Sequence, residues 1–285
     1  MRTQDNRIQD SSSARDGSIR DSALLFTLAL LAGCGAKTTD SPVTPPGAAE
    51  SAKTKLLEAG AAVLQDKPPI GAINTYLDGF HFYSGKMKLQ MEAHHYCAIL
   101  NDDVIQCVIY DGNVRDAKLM GVEYIIDERL FAGLPVTEKA LWHSHRHEVK
   151  SGQLIAPGIP RVAEHALMEK LVHTYGKTWH TWHTDLHQAL PLGVPQLMMG
   201  FTADGQVDPQ MIAARDKRFG VDTAANRKER EEIVAPPVDP GADGGEAKTA
   251  FQIADPTGSQ HMAETASRSA SGTPAAASNG RSNHR

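Results

Sequence analysis

The sequence predicts an α+β fold: a single domain in which a mixed or antiparallel sheet is packed by helices. Three observations lead there. Short β-branched runs intersperse with stretches of helical period, without the even β-α-β rhythm of a parallel sheet. No glycine fingerprint of a doubly wound nucleotide fold is present. Two apolar runs, Glu92 to Leu100 and Val104 to Tyr110, flank the turn-prone Asn101-Asp102-Asp103 and read as a hairpin.

Taken in order, Lys55 to Gln65 has helical spacing and stops before Pro68-Pro69. Ile73 to Tyr83 is ambiguous and leans to a helix. The hairpin strands are apolar on both faces, which places them centrally in a sheet. Gly121 to Ile126 is another β-branched run. Arg161 to Tyr175 is the clearest helix, opening after Pro160 and closing at Gly176. Lys177 to Thr184 alternates as a strand does, and Pro195 to Thr202 reads as a further strand. Asp208 to Arg218 and Thr223 to Glu232 are expected as surface helices.

The flanks differ in kind. Residues 1–33 read as a secretory signal: Arg2, Arg7, Arg15 and Arg20 precede the apolar stretch Ala23 to Ala32. Ten residues at ~1.5 Å each fall short of a ~30 Å bilayer core, so this is no membrane span. Asp5, Asp10, Asp16 and Asp21 are unusual for such a leader. Leu31-Ala32-Gly33-Cys34 resembles a bacterial lipobox, with cleavage before Cys34 and acylation of that cysteine. Multiple acyl chains anchor stably, and Gly35 is compatible with outer-membrane sorting. The expectation is a lipid-anchored protein of the cell envelope, at the outer membrane, whose partner is the membrane through acylated Cys34. Residues 34–52 read as a flexible tether, 53–234 as the globular domain and 235–285 as a disordered tail too poor in apolar residues to offset ordering entropy. A formal charge of -5 and a pI near 6.2, with no basic stripe, argue against a nucleic-acid partner.

The chemistry-bearing residues are histidines. Eleven of the 13 lie between His81 and His187. In Trp142-His143-Ser144-His145-Arg146-His147-Glu148, an extended backbone would project His143, His145 and His147 from one face. A helical backbone would instead pair His143 with His147. Two imidazoles two residues apart, a carboxylate and a distant histidine suit zinc or non-haem iron, giving His143, His145, Glu148 and His180 as candidate ligands. His147-Glu148 opens a HExxH motif, but Ser151 stands where its second histidine belongs. The spacing from His145 to Glu148 and on to Gly158 also misses the cupin pattern. The competing reading is that these imidazoles serve as buried hydrogen-bonding groups in a packed sheet.

Other constellations are weaker. His165, Glu169 and His173 recur along one helix face and read as a solvated stripe. Cys97 and Cys107 are equidistant from Asp102, so the hairpin sets them opposite each other. That admits a disulfide, although two reduced, core-facing cysteines are the favoured reading. Cys97 beside His94 and His95 lacks the orienting third group of a nucleophilic site. Trp179, His180, Trp182 and His183 read as core packing. No nucleophile elbow, phosphate loop or zinc ribbon is present.

The strings EAHHYCAILNDDVIQCVIYDG, GVEYII, LWHSHRHEVKSGQLIAPGIP, YGKTWHTWHTD and ALPLGVPQLMMGFT resemble the oil body-associated protein family over Pro68 to Gly205. Plant members of that family are associated with seed lipid droplets. The resemblance implies a shared fold and affinity for a lipid surface, and it implies no reaction. It places His94, His95, His143, His145, Glu148, His180 and Asp185 on motif positions, and His147 and His183 where the pattern varies. An acylated Cys34 in place of droplet targeting is a departure. Two functional readings stand at this point. One is an interaction or structural role at a lipid surface or with an envelope protein. The other is a metal-binding protein or metal-dependent enzyme using the His/Glu set.

Overall fold

The computed structural model describes residues 37–244, and the fold is that of the unit beginning at Thr38. The signal segment and Cys34 lie outside the described residues, as does the tail beyond 244. Helix α1 (Ala52–Leu64) is followed by the short α2 (Pro68–Gly71) and strands β1 (Thr75–Tyr83), β2 (Lys86–Ile99), β3 (Val104–Tyr110) and β4 (Leu119–Asp127). Short helices α3 (Glu128–Ala132) and α4 (Val136–Lys139) lead to β5 (His143–Ser144) and α5 (Arg146–Lys150). Then come α6 (Arg161–Leu171), β6 (Thr174–His180), β7 (Gln196–Met199), α7 (Pro209–Phe219) and α8 (Thr223–Glu229).

The class is α+β in one domain, and its sheet is more specific than expected. Strands pair antiparallel in the order β4-β3-β2-β1-β7-β6, and β6 pairs back onto β4. The result is a closed six-stranded antiparallel barrel, with β5 beside the start of β6. Closure defines an inside, although β1 and β7 pair only at Phe82 and Tyr83 and β1 is bridged farther along by Asp78 to Ile155. Side chains alternate across each strand, so the cross-strand partners Leu77↔His95, Cys97↔Cys107, Cys107↔Glu123, Glu123↔Thr178 and His180↔Gln196 mark that inner face.

Three layers fill the interior. At one end Leu77, Ile105, Ile125 and the two cysteines pack against Val149 of α5, Leu154, and Met168 and Leu171 of α6. At the other end Tyr83, Met91 and Met198 pack with Leu186. The middle layer is polar. Outside the barrel, Phe80, Phe82, Leu197, Met199 and Phe201 are covered by Met211 and Ile212 of α7, whose Asp208 cap accepts from the Gln210 amide.

Several expectations need correction. Ile73 to Tyr83 leaned to a helix and is mostly β1. Both of its faces are buried, against the polar interior on one side and α7 on the other, so it shows no clean alternation. The helix from Arg161 ends at Leu171, not Tyr175, because Thr174 and Tyr175 are drawn into pairing with Asp127 and Ile126. The strand expected over Lys177 to Thr184 runs from Thr174 to His180. Packing also reaches beyond the expected limits of 53 and 234. The Thr39 amide donates to Asn113 and Ser41 to Asp111, while the Asp239 amide donates to the Tyr175 hydroxyl and the Ser144 amide to Asp243.

Candidate metal centre

The transition from β5 to α5 builds the first half of the site. His143 and His145 alternate off an extended stretch, and the chain then turns helical, so Glu148 follows His145 by three residues on the same side. His147 points away, 3.8 Å from Asp204. Neither the fully extended nor the fully helical reading of this segment applies. The structure brings His143, His145 and Glu148 together, with one potential ligand atom from each within 4.8 Å of the others.

The barrel strands supply the second half. Glu123 of β4 reaches inward to the middle of the layer. Its carboxylate lies 2.8 Å from His95 Nε2, 3.2 Å from His145 Nε2, 3.4 Å from His143 Nε2 and 4.0 Å from His81 Nε2. His81, Glu123 and His143 form a second set of ligand atoms within 4.8 Å of one another, sharing His143 with the first. His180 lies in the same interior, its ring 5.6 Å from that of His81, but it joins neither set. Two glycines leave the space. A Cβ on Gly176 would sit 2.0 Å from Glu123 Oε1 and 2.9 Å from the Nε2 atoms of His143 and His145. A Cβ on Gly200 would sit 2.9 Å from Glu148 Oε2. Between His81, His95, Glu123, His145 and Glu148 is a cavity of about 10 Å³, the room of one water or ion.

Hydrogen bonding fixes which nitrogens face this cavity. Thr174 Oγ1 donates to the Leu171 carbonyl, so it accepts from His145 Nδ1 at 2.8 Å. His95 Nδ1 lies 3.1 Å from the Ala93 carbonyl, which can only accept. Both rings therefore carry a proton on Nδ1, and in their neutral forms both aim an Nε2 lone pair at a carboxylate. Acceptors face acceptors. A second proton on each ring or a shared cation resolves the conflict, and anchoring through the far nitrogen is how metal-binding imidazoles are oriented.

The remaining atoms have the same need. Nδ1 of His81, Nδ1 of His143, both nitrogens of His180 and Oε2 of Glu148 are buried without a hydrogen-bond partner. Burial holds His81 well below the usual imidazole range, with His95, His180 and His143 adding to it against Glu123. Burial also lowers His143, and it takes His180 down to about 3, with His183 and His95 adding to it. Burial alone would raise Glu123, but the imidazoles of His143, His145 and His95 outweigh it and hold this carboxyl well below the usual range. Glu148 is pushed well above it by burial and by the charges of Glu123 and Asp243. The set is rich in nitrogen, carries two carboxylates and has no thiolate, a donor chemistry that fits a first-row divalent ion.

Other predicted residues fall elsewhere. His94 lies on the outer face of β2, between Asp78 at 3.0 Å and the Tyr76 hydroxyl at 2.8 Å. Asp185 accepts from the Tyr83 hydroxyl at the barrel mouth, where His183 also meets that hydroxyl at 3.1 Å. His165 and His173 pair at the surface with Glu169 and Glu128. The sulfurs of Cys97 and Cys107 are bonded, against the favoured reading of a reduced pair, and the bridge lies directly beside Glu123 in the strand register. Sequence reasoning passed over His81 and Glu123, and it placed His95 on a family motif position and beside Cys97 without counting it among the candidate ligands. The available signal was a charged or imidazole side chain inside the apolar runs FHFY and GVEYII.

Residues 67–234 match the family described as "Protein of unknown function (DUF1264)". Among curated proteins, the chain is 42% identical over 210 residues to oil body-associated protein 1B of Arabidopsis thaliana, covering 73% of this chain and 87% of that one. It is 46% identical over 191 residues to oil body-associated protein 1A of Zea mays, covering 67% and 80%, and 40% identical over 194 residues to protein 2A of Zea mays, covering 67% and 77%. No solved structure matches. These relatives correct the expected placement in an outer membrane, since they are plant proteins named for oil bodies. Among the described residues no helix is long and apolar enough to cross a membrane. With its barrel region matched from end to end, the chain belongs to the DUF1264 family, alongside the oil body-associated proteins.

Proposed function

We propose that this protein is a metal-binding member of its family, holding one divalent transition ion, zinc or iron, inside the barrel. One observation carries the reading. His95 and His145, each anchored through Nδ1 to an oxygen that accepts, direct Nε2 at the carboxylate of Glu123 in a buried interior. Glu123 and His145, with His95, His143, His81 and Glu148 around them, would hold the ion. A bound ion of this type supplies Lewis acidity. The chain itself orients His145 and His95 through Thr174 and Ala93, packs apolar layers at either end, and leaves a space the size of the ion itself.

The test is elemental analysis of the purified full chain beside a His143→Ala/His145→Ala variant and Glu123→Gln, each checked for folding by circular dichroism. About one equivalent of zinc or iron in the native protein, lost from folded variants, supports the reading. A native protein that holds neither metal, even after incubation with zinc or anaerobic ferrous iron, overturns it.

We also propose that the protein works at a lipid surface, a reading supported by the oil-body association in the names of its relatives. The exposed aliphatic side chains of α1 favour this. Flotation of the full chain with triacylglycerol emulsions tests it, and a protein that stays in the aqueous fraction rejects it.

A further inference from the structure

The lipid-surface reading leaves open which part of the chain meets the lipid. Helix α1 has no buried residue, although it carries four large aliphatic side chains. Leu56 and Leu57 are 74% and 63% exposed, and Val63 and Leu64 are each 84% exposed. Ser51 caps the helix by accepting from the Thr54 amide. The helix also precedes residues 67–234, the region matched to the family.

At about 100° per residue, Leu56, Leu57, Val63 and Leu64 share one broad arc, while Thr54, Lys55 and Glu58 share the opposite one. Lys53 falls on the apolar side at the N-terminal end, where a long side chain can reach back to water. A helix of this length is only marginally stable alone in water, so a covering surface would add to its stability. A second copy is a poor cover. The helix is about 20 Å long, and a contact along it falls short of the ~1,200 Å² of a stable interface. An anionic surface is also a poor fit, because Lys53 and Lys55 against Glu58 leave α1 only one net positive charge, short of the basic cluster such a surface selects.

We infer that α1 lies in the plane of a neutral lipid surface, its leucines and Val63 set among the acyl chains and its Thr54-Lys55-Glu58 side toward water. This rests on the lipid-surface reading above and adds the contact element and the lipid class. The pull is apolar, of the kind that senses gaps between headgroups, such as those of a phosphatidylcholine monolayer over triacylglycerol.

The experiment uses the full chain with Cys34→Ser and a polarity-sensitive fluorophore attached at Val63→Cys or, separately, at Glu58→Cys. Each is mixed with a triolein emulsion coated with phosphatidylcholine. Because Ala23 to Ala32 is itself apolar, the label positions decide rather than flotation alone. The expected result is a blue shift at position 63 and none at 58, unchanged when a fifth or so of the lipid is made anionic, with Leu56→Ser/Leu57→Ser weakening association about tenfold. A chain that floats while the label at 63 stays in water overturns the role of α1 and leaves the lipid reading standing. No flotation removes both. A blue shift that grows with protein concentration in the absence of lipid assigns the face to a second copy and also overturns the inference.

Discussion

Two buried clusters of histidine and carboxylate lie back to back across the wall formed by β1 and β2. On the outer face Asp78, Glu92 and His94 meet α7, which brings Arg215 to Asp78 at 3.1 Å and Arg218 to Glu92. Burial would raise the Asp78 carboxyl, but His94 and Arg215 outweigh it and keep it low. On the inner face Glu123 and Glu148 are as deeply buried, yet no lysine or arginine lines that cavity. The outer cluster carries its own cations covalently and serves to dock a helix. The inner one gathers acceptors around a water-sized space. A buried carboxylate needs a counter-charge, and the difference in its source separates a structural cluster from a candidate site.

The largest expected effect tests the outer cluster. Arg215→Ala strands the buried Asp78 and should lower the unfolding free energy by about 3–5 kcal/mol in urea titrations. A loss below about 1 kcal/mol would mean that His94 alone balances Asp78. Metal addition tests the inner one. Zinc or iron at 100 times its dissociation constant should raise the unfolding free energy of the native protein by about 2.7 kcal/mol, reversibly with chelator, and do nothing for His143→Ala/His145→Ala.

The barrel mouth sharpens the comparison by pH. Asp185 is raised from 3.8 to about 6 by burial, against the opposing bond from Tyr83. Between those values the native state keeps a proton that the unfolded chain has released. Stability should therefore fall by about 2–3 kcal/mol as pH rises through this window, and level off above it. Thermal melts of Asp185→Asn at pH 4.5 and 7 should show this slope flattened, and an unchanged slope would place the titration elsewhere.

Two glycines give the smallest contrast. Gly176→Ala forces its methyl into Glu123 and should cost about 1–3 kcal/mol together with metal binding. Gly79→Ala meets the end of Leu154 at 3.3 Å and Glu148 Oε1 at 3.9 Å, an ordinary contact distance, and should cost under about 1 kcal/mol with metal binding retained. Equal losses in calorimetry and metal titration would mean that the crowding at Gly176 is not special.

How much was legible depends on whether the signal was local. The hairpin around Asn101 to Asp103 was, since β-branched runs and a turn trio specify it within twenty residues. So were α7 and α8, whose exposed faces and aspartate caps are written in the chain. β1 was not, because burial on both faces erases the alternation that identifies a strand. The end of α6 was misplaced because helical period continues through residues that pair with β4 instead. At the candidate site, His143, His145 and Glu148 could be read as one string, whereas Glu123, His81 and His95 come from three other strands.

By itself the sequence determined the α+β class, the family, the hairpin that sets Cys97 opposite Cys107, and the concentration of imidazole in one stretch of chain. These follow from short-range pattern and from strings long enough to be distinctive. Only the tertiary structure decided that the sheet closes, and closure is what gives His81, His95, Glu123, His143 and His180 a common interior. Which nitrogen of His145 and of His95 faces that interior was decided by Thr174 and Ala93, through hydrogen bonds that exist only once the strands are in register. Side-chain period can tell which residues share a face of one strand. It cannot tell which faces meet, because that is set by pairing between segments distant in the chain.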